Sequence, residues 1–427
     1  MTSTPDDARP LLVVVGAGPA GLMAAEIAAR DGCRVVVIDQ MAAPGRKLLM
    51  AGRGGLNLTH SEPLAAFLSR YGAASDRLAP LVTAFDPATL TAWAEALGQE
   101  TFVGSSGRVF PKAMKASPLL RAWLRRLADL GVTFRFKTRF CGFCAEGRLM
   151  LSADAADPAP CTADAVILAL GGASWPRLGS DGAWVQGLAA AGVSIAPLAP
   201  YNAGVHITWS AHLTERLDGS PLKRIALRVG GVEVRGEAVI TRTGLEGGVA
   251  YALNGAILAG LADSGGEPVE MRVDLRPDLS PERLTGELSQ PRGRQSMAAF
   301  LKRRAGLSSA AVGVLREPGG GRLPDTPAEL AALIKGVPLA VTGLAGLARA
   351  ISSRGGVRWD GIDDTLMLVS LPGVFVAGEM IDWEAPTGGY LLQAVLATGA
   401  HAGRQATRWL TARPAHVKRA GPGSELL

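Results

Sequence analysis

Five consecutive apolar residues, Leu11–Val15, open the patterned part of the chain. A short unbroken run of this kind is typical of a parallel strand buried on both faces. "GAGPAG" (16–21) follows, then "LMAAEIAARDG" (22–32), whose apolar spacing predicts a helix ended by glycine, and "RVVVID" (34–39), which predicts a second buried strand. The three form a βαβ unit. Residues 119–130, "LLRAWLRRLADL", have amphipathic helical spacing with Arg121–Arg126 on the wet face, and "VTFRFKTRF" (132–140) alternates as one strand. "AVILALGG" (165–172) is another buried strand, ending in paired glycines. From about residue 196 the texture changes. "RIALRVGGVEVRGEAVITRTG" (224–244) alternates around a Gly-Gly turn and predicts antiparallel structure, and helical patterns fill 280–335, split by "EPGGGRLPDTP" (317–327). Near 345 the first texture returns, with a strand in "GVFVAGE" (373–379) and a helix from about Tyr390. No internal repeat is present. The pattern predicts a nucleotide-binding domain interrupted by an inserted β-plus-helical domain.

Composition narrows this. Of 427 residues, 48% are hydrophobic and 19% charged, enough apolar material for a substantial core and unlike a disordered chain. No apolar run reaches the roughly 20 residues of a bilayer span, since the longest candidate, 330–351, carries Lys335 and Pro338. "MTSTPDDARP" lacks the basic and apolar regions of a signal peptide, so a cytoplasmic protein without a membrane partner is expected. Cys33, Cys141, Cys144 and Cys161 are too sparse for a disulfide framework. The net charge of +6 raises the question of nucleic acid, but the cations are scattered and no basic stripe interleaved with aromatics is evident. A small-molecule substrate and no nucleic-acid partner are therefore expected. No Cys/His cluster has metal-ligand spacing.

Gly16, Gly18 and Gly21, with Pro19 and Ala20 between them, have the spacing of the dinucleotide fingerprint, and they stand between a strand and a helix. Gly16 permits the tight turn, Gly18 lets backbone approach a pyrophosphate, and Gly21 lets helix pack on strand. The helix N-terminus presents free N–H groups to the phosphates. Asp39, followed by Gln40, ends the second strand where an acid is needed for ribose hydroxyls. The fingerprint alone does not separate FAD from NAD. The C-terminal segment "LPGVFVAGEMIDWEAPTGGYLLQAVLATGAHAG" (371–403) does more. A strand delivers Gly378 and Glu379, whose carboxylate can bind a sugar-alcohol hydroxyl. Gly388 and Gly389 then precede the helix at Tyr390, whose N-terminus can face the flavin N1–C2=O edge. Such a pairing of distant segments suits FAD.

At these residues the chain resembles the bacterial BaiN-like and aminoacetone-oxidase-like FAD-dependent flavoproteins. The likeness runs end to end, through "GAGPAGLMAAE", "PGRKLLMAGRGGLNLTH" (44–60), "GRVFPKAMKAS" (107–117), "LALGGASWPRLGSDG" (168–182, with Gly171), "GEAVITRTGLEGG" (236–248) and "AGEMIDW…TGGY" (377–390). The resemblance implies an α/β fold: a two-dinucleotide-type, glutathione-reductase-like FAD-binding Rossmann domain (1–195 and 345–427). It is interrupted by an inserted β-barrel-like domain (196–279 and 336–344) and a small helical domain (280–335). It also implies that segment 45–60 wraps the FAD. Arg46 and Lys47 would reach the adenosine and phosphate side. Gly52, Arg53, Gly54 and Gly55 would let backbone approach the isoalloxazine and ribityl groups, with Asn57 hydrogen-bonding nearby. Phe140, at the end of the strand 132–140, would meet adenine through its backbone. The chain departs from the family where a Gly-Gly-Gly-Arg-Cys-Asn-type run is common, having no cysteine there. It also carries Thr241-Arg242 in place of a Thr-His pair, and Glu246 in place of serine.

The expected activity is that of an FAD-dependent oxidoreductase passing hydride between flavin N5 and a small organic substrate or NAD(P)H, because the flavin carries the chemistry and no catalytic triad is needed. No second fingerprint follows residue 150, so NAD(P)H is expected only as a transient donor. A flavin-dependent RNA-modifying enzyme and a non-catalytic FAD-binding sensor are the other readings. Cys141 and Cys144 read as structural cysteines, because a strand end does not activate a thiolate. His60 reads as a loop bystander. Trp175, Trp383 and Tyr390 fit either the walls of a flavin site or packing.

Overall fold

The computed structural model describes residues 9–51 and 55–412. Its elements run β1 (Leu11–Val15), α1 (Pro19–Arg30), β2 (Arg34–Ile38), α2 (Arg46–Ala51), β3 (Thr59–His60), β4 (Thr101–Val103), β5 (Arg108–Pro111), β6 (Thr133–Arg135), β7 (Thr138–Phe143), β8 (Leu149–Ala153), β9 (Ala159–Cys161) and β10 (Ala165–Leu168). Helices Leu64–Ser69, Ser75–Ala84, Pro87–Ala96 and Ala116–Asp129 lie between them, and the first three were not anticipated from pattern. The chain divides into two compact units, 1–199 with 351–427 and 200–350.

The first unit is built on a parallel five-stranded sheet in the order Val374–Val376, β10, β1, β2, β6. The valine-rich runs explain it, since Leu12, Val13 and Val14 in the middle strand have no exposed surface. A strand covered on both faces gains about 1.5–3 kcal/mol per fully buried large apolar side chain. The stretch 132–140 is two strands, not one. Lys137 takes φ 53°, which interrupts the alternation, and its N–H donates to Met41 O at 3.2 Å. β6 therefore stays in the parallel sheet while β7 leaves it to form an antiparallel meander with β8 and β9.

Glu26, in the middle of α1, is fully buried. Its carboxylate accepts from Trp93 Nε1 (3.1 Å), Trp123 Nε1 (2.7 Å) and Arg126 (3.2 Å), and it pairs with Arg30. This pins the helices 87–96 and 116–129 onto α1, and four donors compensate the desolvated charge.

The second unit holds a closed barrel of strands 205–207, 244–246, 232–241, 221–229, 269–274 and 337–344, in that order. Gly230-Gly231 turns the longest hairpin, where Val229 pairs with Val232. Residues 280–335 form helices Pro281–Leu288, Met297–Ala305, Ser309–Arg316 and Pro327–Lys335. Ser280, Ser296, Ser308 and Thr326 cap their N-termini through side-chain oxygens. Their apolar faces share one core with the barrel. Among the described residues no helix is long and apolar enough to cross a membrane.

Candidate cofactor site

The turn after β1 is held tightly at both ends and open in the middle. Gly16 has φ 111°, and a Cβ there would lie 2.2 Å from Ala169 O. A Cβ on Gly21 would lie 1.8 Å from Gly16 O. Gly18, by contrast, would place a Cβ with no protein atom within 4 Å. α1 begins at Pro19, three residues before the pattern predicted, because proline sets the first helical φ and needs no N–H partner. Gly18 caps α1 without a side-chain hydrogen bond, so the amides of the first turn point into the space beside Gly18.

The two ends of the chain meet on α1. The last helix, Tyr390–Thr411, crosses it through Gly399 and Gly403, where Cβ atoms would fall 2.3 Å from Ala20 O and 2.6 Å from Ala24 O. Gly378 lies against α1 as well, and a Cβ there would be 2.8 Å from Ala20 Cβ. Its N–H donates to Thr398 Oγ1 at 3.0 Å and its carbonyl accepts from Trp383 Nε1 at 2.9 Å. Trp383 is thus a buried packing residue. Gly389, with φ 100°, caps the last helix and would place a Cβ 2.5 Å from Thr59 Cα. Gly388, with φ 140°, is equally special in backbone.

Asp39 ties the second strand to the glycine turn. One carboxylate oxygen accepts from Ala17 N and the other from Met41 N, both at 2.7 Å. Burial pushes this carboxyl upward, while those two N–H bonds and the Arg46 charge pull it down. Each oxygen keeps a lone pair for a sugar hydroxyl. The Gln40 amide donates to Gly179 O at 2.8 Å and to Asp181 at 3.3 Å. Arg46 is exposed and near Asp39.

The Lys47 ammonium lies 2.6 Å from both Ser174 Oγ and Glu379 Oε2. Glu379 Oε1 accepts from Ser353 N at 2.9 Å. This hub joins segments more than three hundred residues apart (Lys47 and Glu379 differ by 332 positions), so no local signal announces it. Gly172 is glycine for the same reason, since a Cβ would lie 1.7 Å from Ser353 Oγ. The Gly171 carbonyl accepts from Trp184 Nε1 at 2.9 Å.

The Tyr390 side chain packs against residues of the 60–67 segment. Its ring stacks on His60 at 5.6 Å and meets Phe67 at 4.8 Å, while its hydroxyl donates to Glu62 at 2.6 Å. Burial first, and then the Glu62 carboxylate, push the Tyr390 phenol well above its usual value, so it stays protonated. The backbone of Tyr390 stands at the start of the last helix. His60 is half-buried, its Nδ1 accepting from Glu62 N at 3.1 Å. Phe140 pairs with Leu151 within the meander, two residues beyond Thr138, whose N–H donates to Asp39 O at 3.0 Å. Gly52, Arg53 and Gly54 lie outside the described residues, and Gly55 packs with its Cα against Met114 and Phe110. Two acids escaped sequence reasoning. Asp382 and Glu384 lie between the motif glycines, and burial raises both carboxyls, opposed by Arg358 and Arg354 for Asp382 and by Arg354 for Glu384. Cys141 and Cys144 are free thiols, and burial pushes Cys141 up, the opposite of an activated thiolate.

These residues fit a dinucleotide flavin. The space beside Gly18 admits a pyrophosphate at a helix end without a side-chain cap. Asn57 Oδ1 and Ser180 Oγ are buried without a protein partner, as polar atoms that serve a bound group would be. Among the described residues no cluster of side chains could hold a metal ion. The fold and cradle define an FAD-binding flavoprotein of the Rossmann type. The family described as "HI0933-like protein Rossmann domain" matches residues 10–405, and the chain belongs to it. The 3-dehydro-bile acid delta(4,6)-reductase of Clostridium scindens is 27% identical over 92% of this chain and 98% of its own. The ribosomal RNA dihydrouridine synthase of Escherichia coli is 43% identical over 60 residues, 14% of this chain and 15% of that one. Among solved structures, a flavocytochrome c3 fumarate reductase superposes with a TM-score of 0.51 at 15% identity, covering 96% of this chain and 82% of the other. The 3-ketosteroid delta1-dehydrogenase of Sterolibacterium denitrificans gives 0.51 at 13% identity, covering 93% and 99%. Both likenesses concern the fold. The protein is an FAD-dependent oxidoreductase.

Proposed function

We propose that the enzyme is a reductase that adds hydrogen across a carbon–carbon double bond conjugated to a carbonyl, with NAD(P)H as the electron donor. One geometric observation carries the cofactor half of this reading: two helix N-termini without a side-chain cap, of α1 and of the last helix, on helices packed together through Gly399 and Gly403. Support for the substrate half comes from two relatives whose names each describe saturation of such a bond, a bile-acid delta(4,6)-reductase and a dihydrouridine synthase. FAD held by these residues would supply hydride transfer from NAD(P)H to the carbon–carbon double bond, with the matching proton drawn from solvent.

The chain's own residues bind and orient. The α1 amides beside Gly18 hold the pyrophosphate, and Asp39 and Arg46 face the adenosine end. The Lys47–Glu379 hub fixes the carboxylate that meets the sugar-alcohol chain. The first amides of the last helix stabilise negative charge at the far end of the ligand. Tyr390 is held by Glu62 and moves no proton to substrate.

The test is anaerobic mixing of holoprotein with NADPH and then NADH, following the visible flavin band, and then addition of a cyclic conjugated enone. Bleaching by a nicotinamide and return of the band on enone addition is the expected course. A band unaffected by either nicotinamide would overturn the donor assignment. A bleached band that reoxidises only with oxygen, whatever enone is offered, would overturn the substrate class.

A further inference from the structure

The three-stranded sheet β3–β5–β4 has one covered edge and one open edge. At β3 the start of the last helix abuts, with Gly389 against the Thr59 backbone. At β4 no further strand is paired among the described residues. The ladder fixes which groups β4 presents there. Gly104 N donates to Arg108 O and Lys112 N to Glu100 O, both at 2.8 Å, so residues 100, 102 and 104 direct their backbone groups to β5. Thr101 and Val103 alternate with them and turn their N–H and C=O groups off the edge. Open edges are ordinarily blunted by proline, lysine or a bulge. β4 has none of these: it reads Thr-Phe-Val, with Phe102 40% and Val103 58% exposed. Phe102 stacks on Phe110 at 5.8 Å. Because side chains alternate, Glu100, Phe102, Arg108, Phe110 and Lys112 share one face, to which Gly104 adds nothing. Glu100 pairs with Lys112, whereas Arg108 is exposed and has no acidic partner among the described residues.

We propose that β4 pairs with β4 of a second copy of the chain, antiparallel about a two-fold axis through Phe102. The register follows from the outward groups. Thr101 exchanges N–H···O=C bonds with the partner's Val103, and Val103 with the partner's Thr101. Phe102 then faces the partner's Phe102 in the close, non-hydrogen-bonded pair, and two exposed ring stacks become one across the axis. Charge agrees with this register. Glu100 comes opposite the partner's Gly104, and the next strand over holds the partner's Arg108, about 10 Å away from Cα to Cα. The missing side chain at position 104 leaves Glu100 a clear path to the partner's Arg108, the cation without an acid in its own chain. The axis repeats the pair. This self-complementarity favours a second copy over a foreign strand, which would have to supply the same ring, gap and charges in the same order. The edge is three residues long, so the interface is small and the dimer weak, with a Kd on the order of 10 μM. The inference stands apart from the reductase reading and requires no turnover.

The experiment is sedimentation velocity of holoprotein between about 1 and 200 μM. A shift from monomer to dimer across that range is expected, and a monomer throughout overturns the proposal. Val103→Pro deletes an outward N–H and leaves the ladder to β5 intact, so it should weaken the dimer about tenfold or more. Glu100→Arg and Arg108→Glu test the register. Each variant alone sets like charges against each other across the axis and should weaken self-association about tenfold. Mixed in equal amounts, the two should dimerise again, because in the mixed dimer every cation at these positions meets an acid. All three positions are exposed, so each variant should keep the melting temperature and flavin spectrum of the parent. A dimer that persists unchanged in Val103→Pro or in both charge variants overturns the proposal, and so does a mixture that stays monomeric.

Discussion

The N-termini of α1 and of the last helix are alike in charge and unlike in surroundings. Both are capped by glycine, and neither has a side-chain cap. Yet a Cβ on Gly18 would touch nothing, while one on Gly389 would strike the Thr59 backbone at 2.5 Å. Gly18 has an ordinary extended backbone with φ −81°, whereas Gly389 has φ 100°. One glycine leaves room for something other than protein, and the other exists because protein is already there. Glycine in a fingerprint therefore has two separable causes, ligand approach and chain packing.

Substitutions divide along that line. Gly389→Ala is expected to cost the most, about 3 kcal/mol or more of stability, from the clash with Thr59 together with the left-handed backbone. Thermal unfolding of the apoprotein reads this directly, and an unchanged midpoint would erase the distinction. Lys47→Met comes next. It leaves Glu379 as a mostly buried, less compensated charge and should cost about 1–3 kcal/mol in stability, with FAD affinity falling alongside. The double change Lys47→Met/Glu379→Gln should recover part of the stability but not the affinity, and a full recovery of both would show that the hub serves packing only. Gly18→Ala should leave apoprotein stability within about 0.5 kcal/mol while lowering FAD affinity about tenfold or more, measured by flavin fluorescence on titration.

The smallest effect concerns pH. Glu62 lies below its ordinary value of 4.5, chiefly through its bond to Arg70 and then that to Tyr390. A depressed carboxyl contributes stability above its unfolded pKa and loses it as pH falls through the folded one. Because Arg70 is half exposed, the contribution should stay below about 1 kcal/mol. Glu62→Gln should lower stability near neutrality by that amount and converge on the parent as pH falls below 4.5, where the parent loses the contribution.

What could be read from sequence follows the same distinction between local and distant causes. The strands β1, β2 and β10 announce themselves because a buried parallel strand is an unbroken apolar run. The fingerprint is local too, as are Gly388 and Gly389 before a helix. The pairing of Lys47 with Glu379, and of Glu26 with Trp93 and Trp123, is set by tertiary packing across intervals with no periodic trace. Tyr390 was legible as a residue at a helix start, but the direction of its ring depends on Phe67 and His60, which arrive from another segment. Lys137 shows the reverse failure. Its polar alternation looks like strand, and only its backbone conformation reveals the break.

The central sheet also sets a timetable for synthesis. Val166 in β10 pairs with Val374, and the whole second unit is translated between them. Until the strand Val374–Val376 arrives, β10 is an open edge on the nascent chain, and the second helix terminus of the cradle does not yet exist. The sheet is finished and the cofactor captured after translation of the second unit, so the flavin acts as a seal on a completed chain, and a message broken within the second unit yields a protein without colour.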